Sequence, residues 1–181
     1  MPIKELNNNL PLLDKARRNI SRFVVAQARM RQERVGFGWR PAVMAPSNYT
    51  ALTAEFKACQ VSGWPMRVSD QHNEPTIYEH PNHNLIFRYW HDTSHVIHGL
   101  NFEADDELEL AGHHLEALRA EGYGPHTMEH QLLHADTFGQ AYFQLVTGRF
   151  VENQVRFDTN CLLFGVEEAV AQELDALGVD R

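Results

Sequence analysis

A mainly α-helical bundle is the fold class this sequence predicts, as a single domain over residues 1–181. Three observations predict it. Apolar residues recur at helical spacing through successive segments, glycines stand where those patterns stop, and only one stretch alternates as strands do. At 181 residues and 20.8 kDa the chain is long enough to bury a sizeable core without help.

The first element runs from about Leu12 to Val35. Leu13, Ala16, Ile20, Phe23, Val24 and Met30 form its apolar stripe, with Lys15, Arg17, Arg18 and Arg22 largely off it. Gly36 and Gly38 stop it, and Trp39-Arg40-Pro41 leads into a loop. Asn48–Gln60 reads as a shorter helix with Ser47 as its N-cap. Residues 61–84 are rich in Pro, Ser, Asn, Asp and His. Their only regular structure is predicted to be a short β-hairpin around residues 66–79, pairing Met66–Ser69 with Thr76–Glu79. A helix follows from Asn84 to Leu100, stopped by Gly99. The next is capped by Asp105 or Asp106 and runs to about Glu121. Another spans Thr127 to Thr147, and a last one Thr159 to Leu177.

Bulk properties narrow the function. A hydrophobic share of 43% and a charged share of 22% are ordinary for a soluble globular chain. The net charge of −8 argues against a nucleic-acid partner held through its phosphates. No apolar run approaches the roughly 18 residues of an integral membrane segment. The opening MPIKELNNNL lacks the apolar region of a secretory leader. Cys59 and Cys161 are far apart, without metal spacing, and read as reduced thiols of a cytoplasmic protein. The partners this composition allows are a small molecule and a further copy of the chain in a homo-oligomer.

Histidine is distributed unevenly. All 11 fall between His72 and His134. The sharpest pattern is His91-Asp92-Thr93-Ser94-His95, then eleven residues, then Glu107. Each helical residue turns about 100°, so His91 and His95 lie about 40° apart on one face, with Asp92 at its edge. A His pair at this spacing can grip one ion. Gly99-Leu100-Asn101 allows a turn that returns Glu107 to the pair on the next helix. Glu107 shares an inward stripe with Leu110, Ala111, His114 and Leu118, where an ionised carboxylate needs a positive partner. The metal ligands predicted are therefore His91, Asp92, His95 and Glu107. The plainer explanation of Glu107 is a favourable interaction with the helix dipole. Mixed N and O donors suit zinc, iron or manganese alike, better than calcium or a thiolate-selected ion; zinc is the divalent metal expected.

On a later helix His130 and His134 repeat the i, i+4 spacing on a stripe with Phe138, Ala141 and Leu145. They read as a second ligand pair, as hydrogen-bond partners of the first ligands, or as acid/base groups; packed core imidazoles are the bland alternative. Glu107, His130 and His134 are the catalytic candidates. His98 falls on the face of His91 and His95, as a further ligand, a supporting group or a cation at the helix end. His113 points to solvent. His72, His80, His83 and His126 lie in loops and carry no assignment.

The pattern H-D-x-x-H-(11 residues)-E resembles the mark of the ubiquinone (coenzyme Q) biosynthesis proteins of the coenzyme-Q-four type. Val96-Ile97, Gly99-Leu100 and Glu107-Leu108 agree with it, and the likeness spans residues 88–120. Asp106 stands where that family usually has Gly. The resemblance implies a mainly helical fold, a zinc or other divalent site, and a role with a polyprenylated aromatic quinone precursor, involving ring decarboxylation and hydroxylation. The expected function is then a metalloenzyme or metal-dependent carrier acting on a lipophilic aromatic or prenylated small molecule. Two other functions fit the residues. One is a metal-dependent phosphohydrolase of the His-Asp domain class, from His91-Asp92 and the later histidines, with Asp136 as a late ligand. The other is a non-catalytic module in which the ion holds the fold.

Overall fold

The computed structural model describes residues 10–178. The leader reading of MPIKELNNNL therefore falls almost wholly outside the described residues. The chain is mainly α-helical. Helix α1 (Leu10–Val35) leads to strand β1 (Trp39–Ala42), helix α2 (Tyr49–Ser62) and strand β2 (Met66–Ser69). Then come α3 (Pro81–His98) and α4 (Ala104–Ala120). Helix α5 (Met128–His134) passes through a π turn (Ala135–Gly139) directly into α6 (Gln140–Thr147). Helices α7 (Gln154–Phe164) and α8 (Val166–Ala176) close the described chain. Among the described residues no helix is long and apolar enough to cross a membrane.

Helix α1 is the spine. Ala16, Ile20, Phe23, Val24 and Ala28 are buried on one side, packed against α3 and α5. Phe23 meets Trp90 edge-on at 5.5 Å, and Tyr78, Phe87 and Tyr89 extend this aromatic layer beneath α3. Met30, expected on the stripe, is 51% exposed. Arg17, expected outside it, turns inward instead.

That arginine explains why the hairpin does not form. Its guanidinium donates to the carbonyls of Ile77 (2.7 Å), Tyr78 (3.2 Å) and Thr76 (3.3 Å). Ser21 Oγ accepts from the Glu79 N–H at 3.0 Å. The backbone groups that a second strand would offer to Met66–Ser69 are thus satisfied by α1. Strand β2 pairs in parallel with β1, with Trp39 opposite Met66 and Ala42 opposite Ser69. Helix α2 makes the crossover that a parallel pair requires. A segment read as a loop, Trp39–Ala42, is therefore half of the sheet, and Pro41 is tolerated because the sheet has only these edges.

Helix ends shift for local reasons. Asn48, rather than Ser47, caps α2 by accepting from the Ala51 N–H. Helix α3 starts at Pro81, with His80 Nδ1 accepting from the Asn82 N–H, so His80 serves as a cap. Neither Asp105 nor Asp106 caps α4; Asp106 Oδ2 accepts from the Asn101 N–H at 2.8 Å and braces the preceding turn. The single helix expected over Thr159–Leu177 is two, α7 and α8, broken at Gly165 with φ +90°. Phe143, Phe157, Ala169 and Val170 form a second apolar cluster there. Gly139 in the π turn lets α7 approach, because a Cβ would stand 3.3 Å from Phe157 and 3.4 Å from Cys161.

Candidate metal centre

The centre forms where α3 ends and α4 begins. Gly99 takes the left-handed conformation (φ +73°) that closes α3, and its N–H donates to the His95 carbonyl. The chain then turns so that the Leu100 carbonyl lies 3.1 Å from His95 Nδ1. A carbonyl only accepts, so Nδ1 carries a proton, and Nε2, the atom a metal would take, faces the interior. The helix stop thus fixes a proton on Nδ1 as well as a direction.

His91 Nε2 lies 3.0 Å from His95 Nε2. Glu107, in the first turn of α4, places Oε1 3.4 Å from His95 Nε2 and Oε2 3.5 Å from His91 Nε2. Donor atoms of His91, His95 and Glu107 all lie within 4.8 Å of one another. Metal–ligand bonds of about 2.0–2.1 Å put neighbouring tetrahedral donors about 3.3 Å apart, so this triangle has the size an ion needs. A third imidazole backs it: His114 Nε2 is 3.1 Å from His91 Nδ1. His114 is 1% exposed and packed on Trp90 with ring centroids 4.1 Å apart. Such a contact orients a ligand histidine through its far nitrogen. Phe102 closes over His95 at 4.8 Å, and Phe87 lies 5.7 Å from His91.

The charges agree with a cation site. Burial disfavours ionised Glu107, but hydrogen bonds to His91 and His95 hold it well below the usual carboxylate range. Burial lowers the proton affinity of His91, yet Glu107 outweighs it and the net shift is upward. Burial, followed by the neighbouring His91 and His95, pushes His114 well down, so it stays neutral.

Among the four predicted ligands, Asp92 is not in this triangle. It sits at the edge of the α3 face, and burial pushes its pKa up to about 6. His98 is exposed and stacks on His113 at 4.1 Å, with neither ring in the triangle. Glu107 lines a cavity of about 230 Å³ with Phe102, Ala104, Ala141, Gln144 and Leu145. His130 and His134 line a different one, of about 740 Å³, and no residue lines both. The three catalytic candidates are thus distributed over two cavities.

Sequence reasoning named Asp136 only as a late ligand of the phosphohydrolase alternative and passed over its buried partner, Asp158. Asp136, in the π turn, and Asp158, on α7, are 8% and 0% exposed and hydrogen-bonded to each other. Tyr78 donates to Asp136 at 2.8 Å, and Gln140 donates to Asp136 at 2.9 Å and to Asp158 at 3.4 Å. Burial raises both carboxyls, so the pair retains a proton. Asp158 falling among the apolar residues of α7 was the signal available. No protein-family model, curated protein or solved structure matches the chain.

Proposed function

We propose that the protein is a metal-dependent enzyme acting on a lipophilic aromatic or prenylated small molecule of the quinone-precursor type. The observation that carries this is the His91–His95–Glu107 triangle beside a cavity walled by Glu107, Phe102 and Leu145. Two imidazoles and one carboxylate from the protein leave coordination positions for a substrate or water, the pattern of catalytic rather than structural zinc sites. Zinc suits this donor set, as do iron and manganese. When bound, the ion would polarise a substrate oxygen. The chain's own residues hold the site in shape: the Leu100 carbonyl and His114 orient the two imidazoles, while Phe87 and Phe102 shield them. Phe102, Ala104, Ala141 and Leu145 give that cavity an apolar side on which a lipophilic ligand could lie. The H-D-x-x-H-(11)-E resemblance supports the same substrate class.

The phosphohydrolase alternative finds less support. Arg88, the cation nearest Asp92 in sequence, donates to the carbonyls of Ser69, Gln71 and His72 at 2.7–2.9 Å and is committed to the backbone. Elemental analysis of purified wild-type protein, His95→Ala and Glu107→Ala tests the centre. A near-stoichiometric divalent metal lost in both variants is expected; wild-type-like content in both would refute it. Turnover of prenylated hydroxybenzoates by the metal-loaded protein, against phosphomonoesters as the competing class, tests the substrate.

A further inference from the structure

The larger cavity lies between α5 and the α7–α8 corner, and none of His91, His95 or Glu107 lines it. Its floor holds an anomaly. His130 is 6% exposed, and its Nε2 is buried without a hydrogen-bond partner. A buried polar atom left unsatisfied costs about 1–3 kcal/mol, so its persistence calls for an explanation. The backbone N–H of His130 donates to Thr127 Oγ1, the N-cap of the helix, so that cap does not engage Nε2.

The surroundings define what would satisfy it. Burial, then Arg119 and His134, pushes the His130 pKa down, so the ring is neutral at pH 7 and offers one hydrogen bond without a charge. The fixed cation is Arg119 on the same lining. Among the described residues its charged contact is a single 3.1 Å bond to Glu116 between exposed side chains, a weak pairing that engages one of its nitrogens. Leu162, Phe164 and Val166 supply an apolar wall, and Phe164 is 45% exposed. His134 is held flat against Phe138 at 4.8 Å. A volume of about 740 Å³ is within the usual range for sites that bind small organic ligands.

We propose that this groove is a second ligand site, taking an amphipathic monocarboxylate whose carboxylate bridges His130 Nε2 and Arg119 while its apolar body lies along Leu162, Phe164 and Val166. An acceptor fixes Nε2 as the protonated nitrogen. The negative charge meets Arg119, and the hydrocarbon covers surface that is otherwise wet. The site is independent of the metal centre and stands whether or not that centre binds an ion.

Octanoate, used below its micelle concentration, is the probe, titrated into the full chain by calorimetry and by NMR of the histidine rings and leucine methyls. Saturable one-to-one binding is expected, with the His130 ring and Leu162 methyls shifting. Arg119→Gln, a surface change that leaves the core alone, is expected to weaken octanoate about tenfold or more, as loss of a charge-assisted hydrogen bond does. His130→Leu should do the same, whereas Arg149→Gln should change nothing. 1-Octanol, with the same chain and no charge, should bind wild type no better than octanoate binds Arg119→Gln. Absence of saturable binding, equal binding of octanol and octanoate, or unchanged affinity in Arg119→Gln would each overturn the proposal.

Discussion

Replacing Glu107 by Gln separates a metal site from an ordinary buried ion pair. The change keeps the shape of a side chain only 19% exposed but removes the charge facing His91 and His95 at 3.5 and 3.4 Å. Loss of a group that merely orients a ligand costs about 10–100-fold in metal affinity, and Glu107 is placed as a direct donor, so about 100-fold is the smallest loss expected. Binding to the native state alone stabilises by RT ln(1 + [L]/Kd), about 2.7 kcal/mol at a hundred times Kd. For a chain of this length each kcal/mol moves Tm by about 2–4 °C, so buffered zinc should raise wild-type Tm by about 5–11 °C. At the same free zinc, a variant bound 100-fold more weakly gains only about 0.4 kcal/mol, or about 1–2 °C. Thermal unfolding by circular dichroism at fixed free zinc reads both. Asp92→Asn is the companion measurement: with Asp92 outside the triangle, most of the wild-type shift should survive. Equal zinc shifts in wild type and Glu107→Gln would refute the reasoning.

Three further outcomes follow from neighbouring contacts. The Arg156–Glu173 pair joins a half-exposed guanidinium to a carboxylate 1% exposed, at 2.7 Å. Arg156→Met should therefore cost about 3–5 kcal/mol in urea unfolding by stranding a buried charge, and Glu173→Leu markedly less; equal costs would contradict this. For Asp136 and Asp158, burial raises both carboxyls above the ordinary value of 3.8, so the folded state binds protons more tightly than the unfolded one. Their contribution is complete below that value and is lost as pH rises through the raised values. Asp158→Asn should flatten this decline, by up to about 1.4 kcal/mol per pH unit for one proton, and gain stability at pH 8; a parallel pH–stability curve would show that the pair does not share a proton. Gly99→Ala should lose about 1–2 kcal/mol from its left-handed backbone and weaken zinc binding by re-aiming the Leu100 carbonyl, and unchanged zinc affinity would break that link.

The His91–His95 pair was legible because helical periodicity is local: an i, i+4 spacing places two side chains on one face whatever surrounds the helix. Gly99 was legible for the same reason. Glu107 could be paired with them because the connection after Gly99 is too short to carry α4 far away. Asp92 shows where such arithmetic stops. An edge position on a helical wheel can point toward the ion or past it, and the packing of α3 against its neighbours decides. His130 and His134 have the same local signature as the first pair, yet α5 carries them to a separate cavity against α7.

Long-range pairings were hidden more deeply. Met66–Ser69 has the composition of a strand, but its partner depends on which backbone groups remain free. Arg17 and Ser21, from a helix some 60 residues away, remove the nearer candidate. Asp136 was legible only as a late ligand of the phosphohydrolase alternative, and its contact with Asp158 appears once the π turn brings α7 close across Gly139. By itself the sequence determined the helices, their glycine stops and a pair of imidazoles aimed along one face. Tertiary structure decided which donors share a centre, which carboxyls share a proton and which histidine nitrogen is buried without a partner. Turn-to-turn geometry is set by neighbouring residues, whereas burial and partner choice are set by whatever the rest of the chain packs against them.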